Sequence, residues 1–331
     1  MDIKTFQQHG LHQAWDDLHP QDYQVNGRSN AEILQVLDTA GDAQYHPCAE
    51  AYVREGVLPG NVMSFKDWDQ SSVFPDTRRD IWVYVPSGLV SAASLNLMVF
   101  NDGGGYLGRN GAVRATTVLA NLIHAGELAP TLGIFITPGL PPNVERPRPG
   151  QRSDPLAQRQ RSLEYDSCDD RYLQFLVDEI MPFVARELDV RVTGDPTRRM
   201  ICGISSGGAC AFTAAWHGPE HFGNVVSHCG SFTNIRGAHN YPYLIRSTPR
   251  KAIKVFLQSG ELDADIVTGS WALANQQMAA ALRFAGYSCR FEFGTGGHNL
   301  RQGGALFADT LRWLYACLLY TSDAADETER G

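Results

Sequence analysis

Five nearly continuous apolar runs occupy the middle of the chain: "LNLMVF" from Leu95, then "LGIFITPG", "RMICGIS", "NVVSHCG" and "IKVFLQSGE". Strands covered on both faces need not alternate apolar with polar residues, so these runs predict buried parallel strands. Ahead of them, "VMSFKDWD" and "RDIWVYVP" are rich in β-branched and aromatic residues. They are split by the turn-like "FPDTR", which predicts two antiparallel strands. A last run, "YSCRFEFG", alternates more. Helical segments fall between the strands: "VRATTVLANLIHAG", "DDRYLQFLVDEIMPFVARELD", "GGACAFTAAW", "WALANQQMAAALRFAG" and finally "ALFADTLRWLYA". In the second, Leu173, Leu176, Ile180 and Val184 share one face, and Pro182 is expected to kink the helix or start a new turn. Gly286 is placed to end the fourth. This alternation predicts an α/β protein: a mostly parallel, doubly wound, eight-stranded sheet with helices on both faces.

Residues 1–55 are weakly patterned and read as an N-terminal extension, with a short helix possible in "NAEILQVLDTA". Residues 56–316 read as one catalytic domain. The segment 317–331 stands apart: Cys317 to Glu327 is similar to translated transposase adapter DNA from sequencing libraries. The expectation is a natural chain cut near Ala316 and a metagenomic source.

Composition narrows the partners. The 331 residues are 43% hydrophobic and 19% charged, with a formal net charge of -8. That balance suits a soluble domain with a real core and gives no basic surface for nucleic acid or anionic membrane. No run reaches the length of a membrane span, and the N-terminus lacks a secretory apolar stretch. The seven cysteines form no CxxC pair and no metal spacing. Cys202, Cys210 and Cys229 read as small buried hydrophobes, so a reducing, cytoplasmic setting is expected. No metal and no cofactor is expected.

In open α/β sheets, chemistry gathers beyond the carboxyl ends of the strands. Gly203-Ile204-Ser205-Ser206-Gly207 fits G-x-S-x-G between a strand-like and a helix-like segment, the context in which a strained turn lifts a nucleophilic serine. Ser205 is the candidate nucleophile. The N–H of Ser206 then faces a developing oxyanion. A serine hydroxyl needs a base, which in this arrangement follows an acid along the chain. His298, in "FEFGTGGHN", is the candidate base; His217, His221, His228 and His239 read as structural. The acid comes from "SGELDAD", with Asp263 preferred over Asp265 and Glu261; periodicity does not choose among them. In "FNDGGGYLG", Gly104 is the preferred second oxyanion donor, with Gly103 and Gly105 beside it. A phosphate cradle is disfavoured because no GK[ST] follows. Tyr106 and Trp271 are candidates to stack on a sugar or aromatic acyl group.

With those pieces placed, the chain resembles the Putative esterase family of α/β-hydrolases, which includes enterochelin-type, feruloyl and acetylxylan esterases. The resemblance covers about Leu58 to Tyr315. It is carried by "VFNDGGGYL", "RSLEYD", "ICGISSGG", "VFLQSGELDAD", "LANQQMAAALRFAGY" and "FGTGGHN". It implies the α/β-hydrolase fold and a serine carboxylic-ester hydrolase, free of metal and cofactor, acting through Ser205, Asp263 and His298. The expected partner is a small-molecule or carbohydrate ester: an acyl ester of a sugar, siderophore or aromatic acid. Arg161, Glu164 and Tyr165 match a segment near the pocket of related esterases, which makes Arg161 and Glu164 substrate-binding candidates. An acyltransferase using the same residues, or an inactive binding module on the same fold, is the alternative. The oligomeric state stays open.

Overall fold

The computed structural model describes residues 24–25, 28–29, 38–88, 94–146 and 154–326, with side chains for residues 38–88, 94–146 and 154–316. Eight strands form the main sheet: β1 (Asn61–Trp68), β2 (Arg79–Val85), β3 (Asn96–Asn101), β4 (Thr131–Ile136), β5 (Arg199–Ile204), β6 (Asn224–His228), β7 (Lys254–Leu262) and β8 (Ser288–Gly297). Their spatial order is β8-β7-β6-β5-β3-β4-β2-β1. β1 and β2 pair antiparallel, as do β2 and β4. All other neighbours are parallel. The winding starts at β3 in the middle and proceeds outward both ways, so the strand ends at Asn101, Ile204, Leu262 and Gly297 line one edge.

Side chains partition across the sheet with the period of two that a strand imposes. Leu97 and Val99 of β3 join one core with Ile201, Phe212, Trp216 and Tyr241. Met98 and Phe100 point the other way, into a core with Phe135, Val118, Leu119, Phe307 and Leu311. Helices α2 (Ala115–His124) and α10 (Phe307–Asp326) cover this second face, the short α1 (Gly103–Leu107) lying near its rim. On the first face lie α3 (Pro155–Tyr165), α4 (Arg171–Gln174), α5 (Met181–Leu188), α6 (Ser206–His217), α7 (Tyr241–Ser247) and α8 (Trp271–Phe284). The short α9 (Arg301–Ala305) precedes α10. Among the described residues, no helix is long and apolar enough to cross a membrane.

The eight-stranded sheet and both helical layers match the sequence expectation. Between α4 and α5 the helix widens into a π turn, Phe175–Ile180, and Pro182 sits in the first turn after it. The backbone stays right-handed through Ile180 and Met181, so the helix continues past the proline. Gly286 adopts φ +71° just past α8, as a helix-ending glycine does.

The N-terminal boundary at residue 55 cuts through packed structure. The stretch that starts at Asp38 docks on β8: the Tyr45 hydroxyl accepts from the Thr295 N–H at 3.1 Å, and the Gly41 carbonyl accepts from the Thr295 hydroxyl at 2.9 Å. Most of the proposed short helix near residue 35, and the last five residues of the tail, lie outside the described residues. The backbone of α10 runs past Ala316 to Asp326.

Phe100 and Phe135 stack with centroids 4.4 Å apart and planes 5° from parallel. Truncating a ring in such a core loses its contacts and leaves a cavity. Phe135→Ala is therefore expected to cost about 3–5 kcal/mol, read from urea unfolding.

Candidate active site

Ser205 follows β5 directly and holds the position before the first residue of α6. Its backbone is left-handed, φ +59° and ψ −127°. Such a turn brings two strand–helix segments almost into contact. A Cβ on Gly203 would lie 2.2 Å from the Gly207 carbonyl oxygen, which is why that position has none. The strained turn is held at both ends. The Ser205 N–H donates to the His228 carbonyl at 3.0 Å, and its own carbonyl accepts from the N–H groups of Ala209 and Ser231.

From this turn a hydrogen-bonded series runs inward. Ser205 Oγ lies 2.9 Å from His298 Nε2, and His298 Nδ1 lies 2.6 Å from Asp263 Oδ1. The Asp263 side chain is fully buried. Its Oδ1 also accepts from the Ala264 N–H at 2.8 Å, and its Oδ2 accepts from the Ser259 hydroxyl at 2.6 Å. Glu261 and Asp265 are exposed, so the hydrogen bond to His298 is made by the first-ranked of the three acids. An alcohol, an imidazole and a solvated-out carboxylate in this order can pass a proton from alcohol to ring while the carboxylate fixes the ring's tautomer.

The oxyanion candidates are unequal. Ser206 is the first residue of α6 and is buried, leaving its amide among the donors that no helical carbonyl reaches. Gly104 is exposed, with open space where a Cβ would stand. Gly105 has its N–H committed to the Asp102 carbonyl at 2.9 Å, and Gly103 is pressed on β4, where a Cβ would lie 2.5 Å from that of Phe135. The loop is pinned beside Ser205: Asn101 Nδ2 donates to the Gly207 carbonyl at 3.0 Å.

The four substrate candidates divide. Arg161 is partly exposed and grips both oxygens of Asp102, from Nε at 3.1 Å and Nη2 at 2.7 Å. Trp271 packs edge-on to His298, centroids 5.8 Å apart, and donates its indole N–H to Ser231 Oγ at 3.0 Å. Being buried, it braces the imidazole and leaves little ring for a substrate. Tyr106 corrects its expectation: it is fully buried beneath the glycine loop against Phe100, with its hydroxyl on His228 Nδ1 at 3.0 Å. Burial pushes the His228 imidazole down to about 3, so it stays neutral there as a structural residue. Glu164 corrects its expectation too. It is fully buried in a two-pronged ion pair with Arg79, at 2.8 and 3.1 Å, and accepts from the Gly139 N–H. Neither side chain reaches a substrate.

Ser231, at a strand exit, and two acids that sequence reasoning missed complete the surroundings. Ser231 Oγ sits 3.3 Å from Ser205 Oγ. Asp42 holds both residues flanking His298: Oδ1 accepts from the Gly297 N–H at 3.0 Å, and Oδ2 from the Asn299 amide at 2.5 Å. Asp166 is buried near Ser206, and desolvation pushes its carboxyl up to about 6 against the pull of Arg161, Ser162 and Ser206. The "LEYD" segment carried Asp166 in plain view, but nothing local distinguishes a buried acid from a solvated one.

The family model described as Esterase: Putative esterase matches residues 71–314. The iron(III) enterobactin esterase of Dickeya dadantii (strain 3937) is 27% identical in an alignment 268 residues long that covers 75% of this chain and 54% of that protein. The chain thus spans about half the length of that relative. The enterobactin esterase of Shigella flexneri, crystallised with 2,3-di-hydroxy-N-benzoyl-glycine, gives a TM-score of 0.59 at 20% identity, over 82% of this chain and 62% of that one. A ferulic acid esterase of the anaerobic fungus Anaeromyces mucronatus gives 0.60 at 14% identity, over 83% and 97%. These likenesses establish the fold.

Removing the charge of Glu164 strands a buried guanidinium. Glu164→Gln is expected to cost about 3–5 kcal/mol in urea unfolding. Asp166 acts in the opposite sense. Its folded carboxyl titrates near 6 against 3.8 when free, so its ionisation costs stability that is intact below the free value and lost as pH rises through about 6. Relative to wild type, Asp166→Asn should therefore gain about 2–3 kcal/mol between about pH 4 and about pH 7, measured by urea unfolding at each pH.

Proposed function

The chain belongs to the Putative esterase family, and from that premise we propose that it is a serine carboxylic-ester hydrolase acting through Ser205, His298 and Asp263. The observation that carries the reading is the unbroken series from Ser205 Oγ to His298 Nε2 at 2.9 Å and from His298 Nδ1 to Asp263 Oδ1 at 2.6 Å, built on a left-handed serine.

His298 Nε2 takes the Ser205 proton as Oγ attacks the ester carbonyl. The carbonyl oxygen becomes an oxyanion, which the N–H groups of Ser206 and Gly104 receive. His298 then gives its proton to the departing alcohol, leaving the acyl group on Ser205. Water enters, loses a proton to the same nitrogen and releases the acid by the reverse steps. Asp263 stays ionised throughout, holding Nδ1–H and stabilising the imidazolium. Its two other hydrogen bonds, from Ser259 and Ala264, hold the carboxylate in position against the ring.

The substrate class we propose is an acyl ester of a sugar, a siderophore or an aromatic acid. The relatives' names support this: they are esterases of enterobactin and ferulic acid. Arg161, partly exposed beside Asp102, is the side chain we assign to the substrate side of the site.

Ser205→Ala is expected to lower kcat on a short-chain p-nitrophenyl ester by about ten-thousandfold or more, with an unchanged unfolding curve. Asp263→Asn should lose about ten-thousandfold, because it inverts the ring tautomer, while Asp265→Asn and Glu261→Gln stay near wild type. Full activity in Ser205→Ala would remove the mechanism; loss through Asp265 in place of Asp263 would reassign the acid.

A further inference from the structure

Cys229 follows β6, fully buried, and plays no part in the ester chemistry above. Its sulfur lies 3.9 Å from the Gln258 side-chain oxygen, 3.7 Å from the Gly297 carbonyl and 3.8 Å from the Asn299 carbonyl. Those carbonyls flank His298. Cys229 Sγ, an Asp263 carboxylate oxygen and a His298 ring nitrogen all lie within 4.8 Å of one another. Among the described residues, this is the only such set of donors.

We propose that these three side chains form an inhibitory site for a thiophilic divalent cation of the zinc and cadmium class. The proposal rests on the esterase reading only for its inhibitory consequence; the binding itself stands on the three donors. Thiolate, imidazole and carboxylate are the ligands such ions choose, whereas magnesium and calcium want oxygen alone. Tetrahedral ligands around zinc sit roughly 3.3–3.8 Å apart. The sulfur therefore needs to close by about an ångström at most, and the 2.6 Å pair of His298 Nδ1 and Asp263 Oδ1 to open by about 0.7 Å. Charge balances too. A dication with one thiolate and one carboxylate is neutral, which lowers the cost of holding an ion where Asp263 and Cys229 are both buried. Water fills the fourth position, reached along the partly exposed edge of His298.

The chemistry of inhibition follows from proton positions. In the mechanism proposed above, the ring proton is on Nδ1, facing Asp263, and Nε2 accepts from Ser205. An ion between Cys229 and Asp263 takes Nδ1. The Cys229 thiol gives up its proton to solvent, and the neutral ring then holds its remaining proton on Nε2. A protonated Nε2 is a donor, so no base remains to receive the Ser205 proton. The ion stops catalysis without touching the nucleophile.

Cadmium titration tests this through the sulfur-to-cadmium charge-transfer absorption in the ultraviolet, followed in wild type, Ser205→Ala, Cys229→Ser and His298→Gln. A band saturating with one equivalent is expected in wild type and Ser205→Ala. Cys229→Ser loses it, and His298→Gln, which keeps every thiol, weakens it. In parallel, zinc is expected to inhibit wild-type ester hydrolysis while magnesium at equal concentration does not. Cys229→Ser should keep its basal activity and need about tenfold or more zinc, the least that losing a direct ligand costs. If wild type shows no such band, or Cys229→Ser and His298→Gln both bind cadmium as wild type does, the site is overturned. If Cys229→Ser fails to fold, His298→Gln alone decides. A chain that hydrolyses no ester but shows the expected pattern of bands would refute the esterase reading and leave the metal site standing.

Discussion

A serine forced to φ +59° sits in backbone territory that costs about 1–3 kcal/mol, and the rest of the molecule is arranged so that it cannot relax. Parallel pairing of β5 with β3 and β6 fixes the strand that leads into the turn. The first bonds of α6 fix the chain that leaves it. The His228 carbonyl and Ser231 N–H, both from the neighbouring strand's exit, clamp the serine itself. A buried sheet between two helical layers supplies the rigidity, since the strand that leads to Ser205 has packed side chains on both faces. The imidazole and carboxylate arrive from two further strand ends, so three remote parts of the chain share one frame.

Around that frame two ion pairs tie distant parts of the chain together. Arg79 and Glu164 are wholly withdrawn from water and meet in a fork. Arg161 and Asp102 repeat the geometry closer to the nucleophile. A bidentate pair fixes orientation as well as distance, so α3 and the loop after β3 are set relative to each other by planar groups. The cost is that each pair depends on both partners, because one charge left alone in that interior is far worse than none.

The fold was legible because its signal is local. Apolar runs such as that of β4, every residue of which is buried, announce a strand covered on both faces. Ser205 and His298 were legible because glycine spacing and strand exits are local as well. Glu164 and Tyr106 were misjudged for the converse reason. Their roles are set by Arg79, 85 positions away, and by His228, 122 positions away, and no pattern within a few residues encodes such meetings. An acid or a phenol beside a catalytic motif looks the same whether it faces the cleft or the core. Asp42 escaped notice for a related reason: it sits in a weakly patterned stretch and acquires meaning only where β8 slips register before His298.

That slip and the aspartate that grips it bear on where this molecule begins in a mechanical sense. The span matched by the family model starts at residue 71, well after Asp42. A chain trimmed to that span would retain Ser205, Asp263 and His298 while surrendering the clasp that anchors Gly297 and Asn299 on either side of the imidazole. Homology and packing thus draw different borders here, and the packed unit includes a leading strap that family matching leaves out.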